Sequence, residues 1–251
     1  MLNIKELNNF SKNLLSKTKE IIIKSGSAHM GSSLSLTHIM SYLFVNYLFK
    51  EKYNKDNYFI LSKGHASAVF YSSLYLSKII SKKLIDSYGM NNTELPGHVT
   101  KIKSINKKIF STGSLGHGLP YATGLAFAQK KNKSNKKVFV IISDGEINEG
   151  TTWESILIAL RLSLDNLTII IDYNGFQSYE KTSYFYDMDN IYDSFLGLKF
   201  DVKYIDGHNF SQIDKAINLK TNKTKIIIAK TIKGFGMEKL QGTLESHYLN
   251  K

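Results

Sequence analysis

Three carboxylates, an asparagine and two glycines follow an apolar run near the middle of the chain. The stretch reads VFVIISDGEINEG, from Val138 to Gly150, and a second apolar run, LTIII, leads into DYNG. Asp144 and Asn174 each follow one of these runs. If the runs are neighbouring strands, the two side-chain oxygens converge, and such a small oxygen set suits Mg²⁺ or Ca²⁺ completed by water and ligand phosphates. The pattern predicts a metal-diphosphate site, although Asp and Asn also favour turns and caps for purely structural reasons.

Glycines around this pair predict contacts with an anion. Gly145 follows Asp144, and further glycines stand at positions 113, 116 and 118. Glycine brings backbone N–H groups close to phosphate oxygens. Helices predicted after Gly118 and Gly150 would direct their positive ends toward the same anion.

Histidines are paired with glycines more often than composition explains. Four of the seven, His65, His98, His117 and His208, have an adjacent glycine, where about one is expected from glycine usage. Such imidazoles are accessible proton carriers. His117 and His208 could equally serve only to hydrogen-bond loops, and His38, within SLTHIM, is interpreted as a packed helix residue.

Five short β-branched runs must position these residues. They are YFIL (58–61), VFVII (138–142), LTIII (167–171), DVKYI (201–205) and KIIIA (225–229). Segments with helical spacing lie between most of them, and an amphipathic helix is predicted at the N-terminus. The alternation predicts an α/β fold with a mostly parallel sheet and helices on both faces. Each run ends in a polar, glycine-containing turn, and ligands of such sheets bind beyond the carboxyl ends of the strands.

Composition narrows the function classes. The 251 residues, 42% of them hydrophobic, contain no linker or repeat, which predicts a single domain over residues 1–251. The lack of cysteine excludes disulfides, thiolate zinc sites and a cysteine nucleophile. The net charge is +12, but all basic residues except Arg161 are lysine, which argues against nucleic-acid recognition. The sequence shows neither a signal peptide nor a long apolar span, so a soluble, cytoplasmic protein without membrane contact is predicted.

Other nucleotide and hydrolase motifs fit poorly. GSLGHG follows no clear strand and GFGMEK lacks a third glycine, which weakens a dinucleotide fingerprint. The chain has no P-loop and no nucleophile elbow.

Eight ordered motifs resemble those of transketolases. They are AHMGSSLS, LSKGHAS, LPGH, STGSLGHGLPYATGLA, SDGEINEGTTWE, NLTIIIDYNG, DGHN and AKTIKGFG. They extend over nearly the whole chain and resemble the diphosphate-binding domain of that family. The resemblance implies a thiamine diphosphate-binding fold and transfer of a two-carbon ketol unit from a ketose, or ketose phosphate, to an aldose acceptor. The cofactor supplies the electron sink for cleavage of the carbon–carbon bond.

The resemblance also implies roles for individual residues. Asp144, Asn174 and the backbone carbonyl of Phe176 would bind Mg²⁺, with Ca²⁺ as a possible substitute. Residues implied to contact thiamine diphosphate are His65, Gly113, Ser114, Leu115, Gly116, His117, Asp144, Gly145, Glu146, Asn174 and His247. Residues implied to be catalytic are His29, His65, His98, His247 and Glu149. Among these, His29 and His98 resemble the histidines that contact sugar hydroxyls, and Glu149 the acid beside the catalytic glutamate of another domain.

That catalytic glutamate belongs to a pyrimidine-binding domain that the resemblance does not cover. A partner subunit carrying the pyrimidine-binding and C-terminal domains is therefore expected, in a heterotetramer with two copies of each subunit. Met30 and Ser143 replace the proline and glycine usual at those positions, which leaves room for a specialised substrate. The alternatives are another thiamine diphosphate enzyme, a non-catalytic cofactor-binding or regulatory homologue and, least supported, a basic nucleic-acid binder.

Overall fold

The computed structural model describes residues 3–48, 57–105, 108–178 and 180–247. Within these ranges the helices are α1 (Ile4–Ser25), α2 (Met30–Leu34), α3 (Thr37–Asn46), α4 (Ser67–Leu76), α5 (Lys82–Ile85), α6 (Gly118–Lys131), α7 (Gly150–Arg161), α8 (Met188–Gly197) and α9 (Phe210–Ile217). The strands are β1 (Tyr58–Leu61), β2 (Val138–Ser143), β3 (Leu167–Tyr173), β4 (Asp201–Asp206) and β5 (Lys225–Lys230). All five predicted strands are confirmed. None of the described helices combines the length and apolar content that a membrane span requires.

The strands form one sheet in the order β1-β2-β3-β5-β4, and every pair of neighbours is parallel. The predicted α/β fold with a parallel sheet is confirmed. Strands β2 and β3 are direct neighbours, with Ser143 opposite Asp172. The residues that follow these two strands therefore emerge side by side at one edge.

The core consists of two layers, one on each face of the sheet. Side chains alternate between faces along a strand, so Ile170 joins the layer that includes Leu7 of α1. Its neighbour Ile169 joins the layer that includes Leu119 of α6 and Ile156 of α7. A parallel sheet covered on both faces explains why β2 and β3 read as nearly continuous apolar runs.

Helix α1 confirms the amphipathic helix predicted at the N-terminus. Asn3 caps its start, since the Asn3 side chain accepts the Glu6 N–H at 3.1 Å. The helix buries Leu7, Leu14 and other residues of one stripe, and it ends at Gly26 in the left-handed conformation with φ 67°. This ending turns the chain toward His29 and α2.

A short 3₁₀ turn, Asp144–Asn148, follows β2. The Ser143 hydroxyl accepts the Glu146 N–H at 3.3 Å, and the Glu146 carboxylate accepts the Ser143 N–H at 2.9 Å. This reciprocal capping box satisfies backbone donors that would otherwise be orphaned. It bends the chain directly after the strand, so that Asp144 stays at the edge of the sheet.

Candidate active site

A cavity of about 280 Å³ opens at the carboxyl ends of β2 and β3. Predicted site residues that line it are His65, Leu115, Asp144, Gly145, Glu149, Asn174, Phe176 and His247. The convergence expected for Asp144 and Asn174 is thus observed, because β2 and β3 pair in parallel and in register. The cavity lies at the edge where ligands of parallel sheets bind.

Asp144 is a buried carboxylate held by the loop that follows β3. Its Oδ2 accepts hydrogen bonds from the Gly175 N–H at 3.1 Å and the Thr182 hydroxyl at 2.8 Å, and its Oδ1 accepts the Gly145 N–H at 3.0 Å. Burial raises the pKa of Asp144 to about 7 against the opposing effect of the Thr182 hydrogen bond. A bound cation would favour the charged carboxylate in this position.

Asn174 holds the adjacent loop in a fixed shape. Its Oδ1 accepts the N–H of Phe176 at 3.1 Å, which forms an Asx turn that keeps residues 174–176 together. Gly175, between them, adopts φ 82°, a conformation that glycine accommodates without strain. The loop therefore presents the Asn174 amide and the Phe176 residue to the same cavity.

This donor set fits a hard divalent cation. One carboxylate, one amide oxygen and one backbone carbonyl are oxygen ligands of the kind that Mg²⁺ and Ca²⁺ prefer, and Mg²⁺ commonly takes few protein ligands beside phosphate and water. Within the described ranges, no group of three or more His, Asp or Glu side chains could hold a metal on its own. An ion at this position would complete its coordination with oxygens of water and of a ligand such as a diphosphate.

Two buried lysines, neither of them predicted from the sequence, also line the cavity. Lys63 is fully buried and pairs with fully buried Asp172, with Nζ 2.5 Å from Oδ2. Lys233 is 1% exposed, and its Nζ lies 5.3 Å from the centroid of the Phe176 ring. Burial lowers the pKa of Lys233 to about 8, with a further contribution from the Lys63 charge. Lysines this deeply buried are unusual unless they meet an anion.

Sequence signals for these lysines existed within the quoted motifs. Lys63 precedes Gly64-His65 in LSKGHAS, and Lys233 lies within AKTIKGFG. Neither was distinguishable from the many surface lysines, because lysine makes up most of the charge of this chain. Ser32, on α2, also lines the cavity without having been predicted.

Four histidines come together beside the cavity. The ring centroid of His29 lies 5.2 Å from that of His65, 5.9 Å from that of His98 and 4.6 Å from that of His247. They come from four separate segments of the chain. The structure therefore brings together the four histidines that the sequence predicted as catalytic.

The backbone of His29 adopts a left-handed conformation with φ 67°. Such a conformation costs energy in a residue other than glycine and is found preferentially at functional sites. The His29 N–H donates to the carbonyl of His247 at 2.8 Å, and the His29 carbonyl accepts the N–H of Ser33 at 3.1 Å. These bonds fix the start of α2 and aim the His29 ring at the cluster.

Burial keeps His29, His65 and His247 neutral near pH 7. It lowers the pKa values of His29 and His247 to about 4, and lowers the pKa of His65 well below its usual range. Repulsion from Lys63 and from neighbouring imidazoles acts in the same direction. Neutral imidazoles can each donate and accept one hydrogen bond, which suits them to hydroxyl groups of a substrate.

Glu146, predicted as a cofactor contact, is fully buried behind the cavity. Its carboxylate accepts hydrogen bonds from the Ser62 hydroxyl, the Ser143 N–H and the Gly116 N–H. Gly116 itself is buried, with φ 77°. In this arrangement Glu146 holds the 113–118 loop against the turn after β2, and its contact with a cofactor stays a prediction.

The remaining predicted contacts line a neighbouring cavity of about 580 Å³. Gly113, Ser114 and His117 lie there beside Phe110 and Tyr121. His117 is exposed, and its Nδ1 lies 3.0 Å from the carbonyl oxygen of Leu115. Leu115 lines the first cavity, so the 113–118 loop forms the boundary between the two.

The two departures from the usual motifs have local explanations. Met30 occupies the first helical position of α2, where proline is tolerated because that N–H needs no helical partner. Met30 is 1% exposed and packs in the core layer with Leu7. Ser143 supplies the hydroxyl of the capping box, which glycine could not do. Neither residue displaces Asp144 from the cavity edge.

Comparison with known proteins agrees with this geometry. Residues 12–249 match the family described as transketolase, thiamine diphosphate binding domain. The chain is 32% identical over 241 residues to one subunit of the apulose-4-phosphate transketolase of Actinobacillus succinogenes, covering 92% of this chain and 87% of that protein. It is 31% identical over 237 residues to the 6-deoxy-6-sulfo-D-fructose transketolase subunit SqwG of a Clostridium species, covering 92% and 86%.

A solved structure of transketolase from Campylobacter jejuni superposes with a TM-score of 0.90 and 29% sequence identity. The match covers 98% of this chain but only 40% of that one. The family match therefore spans nearly the full length of this chain, whereas the chain corresponds to less than half of that transketolase. This chain belongs to the transketolase family and carries its thiamine diphosphate-binding domain.

Proposed function

We propose that this chain is the cofactor-binding subunit of a two-subunit transketolase that depends on thiamine diphosphate and Mg²⁺. The reaction is transfer of a two-carbon ketol unit from a ketose, or ketose phosphate, to an aldose acceptor. The observation that carries the proposal is the convergence of Asp144 and Asn174, from two in-register strands, on a cavity lined by buried lysines and histidines. This arrangement supplies both the metal ligands and the positive charge that a diphosphate requires.

Each part of the cavity has a role in holding the cofactor. Asp144, Asn174 and the carbonyl of Phe176 would hold Mg²⁺, and Gly145, His65 and His247 would hold the diphosphate. Lys233 adds a buried positive charge to which the described residues offer no carboxylate partner within salt-bridge distance. Residues 113–115 orient the aminopyrimidine ring. Thiamine diphosphate, when bound, supplies the electron sink for the carbon–carbon bond cleavage.

The histidine cluster binds the substrate. His29 and His98 donate to and accept from sugar hydroxyls, and the cluster moves protons during cleavage and transfer. Low pKa values keep His29 and His247 neutral near pH 7, so each ring offers one hydrogen-bond donor and one acceptor to a sugar hydroxyl.

Catalysis requires a partner subunit. The names of two relatives, each one subunit of a transketolase, support this. Glu149 is half-buried at the cavity, and the described residues include no hydrogen-bond partner for its carboxylate. We propose that it pairs with the glutamate of a pyrimidine-binding domain on the partner, within a heterotetramer containing two copies of each subunit.

The substrate belongs to the sugar and sugar phosphate class. One relative is named for apulose 4-phosphate and another for 6-deoxy-6-sulfo-D-fructose, two ketoses that carry an anionic group. The residues that bind this anionic group are expected on the partner subunit. The partner would therefore determine which donor and acceptor sugars are used.

Cofactor titration tests the proposal. Calorimetric titration of thiamine diphosphate in excess Mg²⁺ is expected to show binding by the unmodified protein and none by Asp144→Ala. Asp165→Ala serves as the matched control, since the Asp165 side chain forms an exposed ion pair with Lys130 and does not line the cavity. Equal binding by Asp144→Ala and the control would refute the assigned site, and no binding by the unmodified protein, alone or with its partner, would refute the function.

A further inference from the structure

A pair of histidines outside the cavity contacts the loop that carries Lys233. His38 belongs to α3, and His208 lies in the DGHN turn between β4 and α9. Their Nδ1 atoms are 3.1 Å apart. On its other side, the Nε2 of His208 accepts the backbone N–H of Ile232 at 3.0 Å. This turn was singled out in the sequence, and the proposed reaction leaves it without a role.

The hydrogen bonds fix the tautomer of each ring. Because the Ile232 N–H donates to Nε2 of His208, the hydrogen of a neutral His208 must lie on Nδ1. That hydrogen is donated to Nδ1 of His38, so His38 carries its own hydrogen on Nε2. Burial lowers the pKa of His38 to about 4 and also lowers the pKa of His208, although Asp172 and Asp206 oppose the latter shift. Both rings are therefore neutral near pH 7.

Ring stacking adds a second hold on the same loop. The His208 ring stacks on Phe235 with centroids 4.1 Å apart and an interplanar angle of 18°. The His38 ring meets the same Phe235 edge-on at 5.0 Å. The loop after β5 is thus held at Ile232 by a hydrogen bond and at Phe235 by two rings.

Glycine before His208 makes this approach possible. The Gly207 N–H donates to the carbonyl of Lys230 at 2.8 Å. A Cβ at Gly207 would lie 2.5 Å from Cγ2 of Thr231, so only glycine allows the turn so close to β5. The order Gly-His in this turn therefore has a physical reason.

Lys233 lies between Ile232 and Phe235, the two residues that the histidine pair contacts. Its side chain is 1% exposed and lines the cavity, whereas the side chain of Ile232 is 37% exposed. The exposed Ile232 side chain gives the loop little anchorage, so backbone contacts must fix its path. These contacts include the bond from the Gly234 N–H to the Gly31 carbonyl at 3.0 Å, the bond from the Gly242 N–H to the Lys233 carbonyl at 2.7 Å and the bond to His208.

We propose that His208 is a positioning residue for the diphosphate site: it holds the backbone of Ile232 and the ring of Phe235 so that Lys233 enters the cavity. His38 supports it by accepting its Nδ1 hydrogen. This inference rests on the proposed function, since the anion that Lys233 meets is taken to be the diphosphate of thiamine diphosphate.

Two substitutions separate the contacts of His208. His208→Phe retains a ring for stacking but removes the acceptor, whereas His208→Gln retains an acceptor near the position of Nε2. Affinity for thiamine diphosphate in excess Mg²⁺ is measured on the chain together with its partner subunit. We expect His208→Phe to weaken binding about tenfold, the lower end of the range for residues that orient ligand-binding groups, and His208→Gln to restore part of that loss.

A double-mutant cycle tests whether His208 acts through Lys233. In a Lys233→Met background, His208→Phe is expected to change the affinity less than about twofold, because the group it positions is gone. An equal loss in both backgrounds would overturn the proposal, and so would unchanged affinity in His208→Phe alone.

The tautomers of His38 and His208 can be measured on the unmodified protein, without cofactor and without any substitution. Nitrogen-15 spectra of the imidazoles at pH 7 are expected to show His208 as the Nδ1–H tautomer and His38 as the Nε2–H tautomer. An Nε2–H tautomer for His208 would overturn the proposal. Absence of thiamine diphosphate binding by the unmodified protein would instead refute the proposed function, so the two failures are distinguishable.

Discussion

Asp172 holds several loops of the site together, although its position inside an apolar strand gives no sign of this role in the sequence. It lies inside the apolar strand β3, and its carboxylate accepts hydrogen bonds from Ser35, Thr231 and Lys63. These three partners come from segments near α2, after β5 and after β1. Asp172 therefore ties together the loops that surround the cavity.

Removal of both members of the buried pair should destabilise the protein by less than the sum of the two single removals. Lys63→Met leaves Asp172 buried without its cation, which typically costs about 3–5 kcal/mol, whereas replacing both members of such a pair is often nearly neutral. We expect Lys63→Met and Asp172→Asn each to lower the free energy of unfolding by several kcal/mol, as measured by urea denaturation. The double variant should lose less than the sum of the two. Strict additivity would contradict the pairing.

Buried histidines predict a loss of stability in mild acid. The folded pKa values of His29, His38 and His247 are about 4, below the usual value of 6.5. Between these two values the unfolded chain binds more protons, so the contribution of these groups to stability falls as pH decreases from 6.5 to 4 and is constant above 6.5. Asp144 and Glu146, whose pKa values are raised by burial, act in the opposite direction.

A single substitution isolates the histidine contribution. His29→Asn removes one of these titrating groups, and asparagine tolerates the left-handed backbone at this position. The free energy of unfolding of His29→Asn should therefore fall less steeply than that of the unmodified protein between pH 6.5 and pH 4. Parallel pH profiles, measured by urea denaturation at each pH, would show that His29 is not held neutral by the fold.

At the scale of residues, the sequence predicted the convergence of Asp144 and Asn174 but not the groups behind them. Asp144 and Asn174 stand out because they follow apolar runs and belong to recognisable motifs. Lys63, Lys233 and Asp172 could not be distinguished, since their burial follows from tertiary packing that no local pattern encodes. Glu146 is the opposite case. It lies in the motif after β2 and was predicted to contact the cofactor, but its carboxylate accepts hydrogen bonds from the backbone of Ser143 and Gly116.

Elements were predicted more completely than their arrangement. The five strands were recognised from β-branched runs, whereas the pairing of β2 with β3 entered only as a condition for the convergence of Asp144 and Asn174. The insertion of β5 between β3 and β4 had no local signal, because strand order depends on crossover connections. The antiparallel bridge between Phe176 and Lys181, which shapes the loop after β3, likewise lacked a signal.

The loop before α6 offers a test at this scale. Gly116 has φ 77°, and a Cβ there would lie 2.6 Å from both Cβ of Glu149 and Oγ1 of Thr151. Gly116→Ala should therefore destabilise the protein by about 1–3 kcal/mol through backbone strain and crowding. It should also weaken thiamine diphosphate binding, because the displaced loop borders the cavity. Thermal unfolding and calorimetric titration measure the two effects.

Gly124→Ala is the matched control for this substitution. Gly124 lies inside α6 and is exposed, and a Cβ on its backbone would meet no atom within 4 Å among the described residues. Alanine in a helix interior is favoured over glycine by about 0.5–1 kcal/mol, so Gly124→Ala should stabilise the protein. A loss of stability in Gly124→Ala equal to that in Gly116→Ala would contradict the explanation from local backbone geometry.

At the scale of the whole molecule, exposed apolar side chains on α7 indicate where the proposed partner docks. Leu157 is 49% and Ile158 is 51% exposed, and α7 begins directly after Glu149 at the cavity. We expect a subunit that completes the site to contact α7, because its first turn adjoins the cavity lined by Glu149.

Ile158→Glu should weaken assembly with the partner without destabilising the chain. Burial of a carboxylate in an apolar contact is costly, so we expect the dissociation constant of the complex to rise at least about tenfold, equivalent to about 1.4 kcal/mol. Ile23→Glu, at a residue 64% exposed on α1 and on the opposite face of the sheet, should leave assembly unchanged. Analytical ultracentrifugation of the two variants with the partner distinguishes the surfaces, and equal weakening by both would argue against α7.

Native mass spectrometry of the protein captured from its source cells tests the proposed function directly. We expect a complex with a second polypeptide, in which each copy of this chain holds one thiamine diphosphate and one divalent ion. The same capture with Asp144→Ala should yield a complex without the ion. A bare chain or a homodimer that takes up no thiamine diphosphate in excess Mg²⁺ would contradict the account.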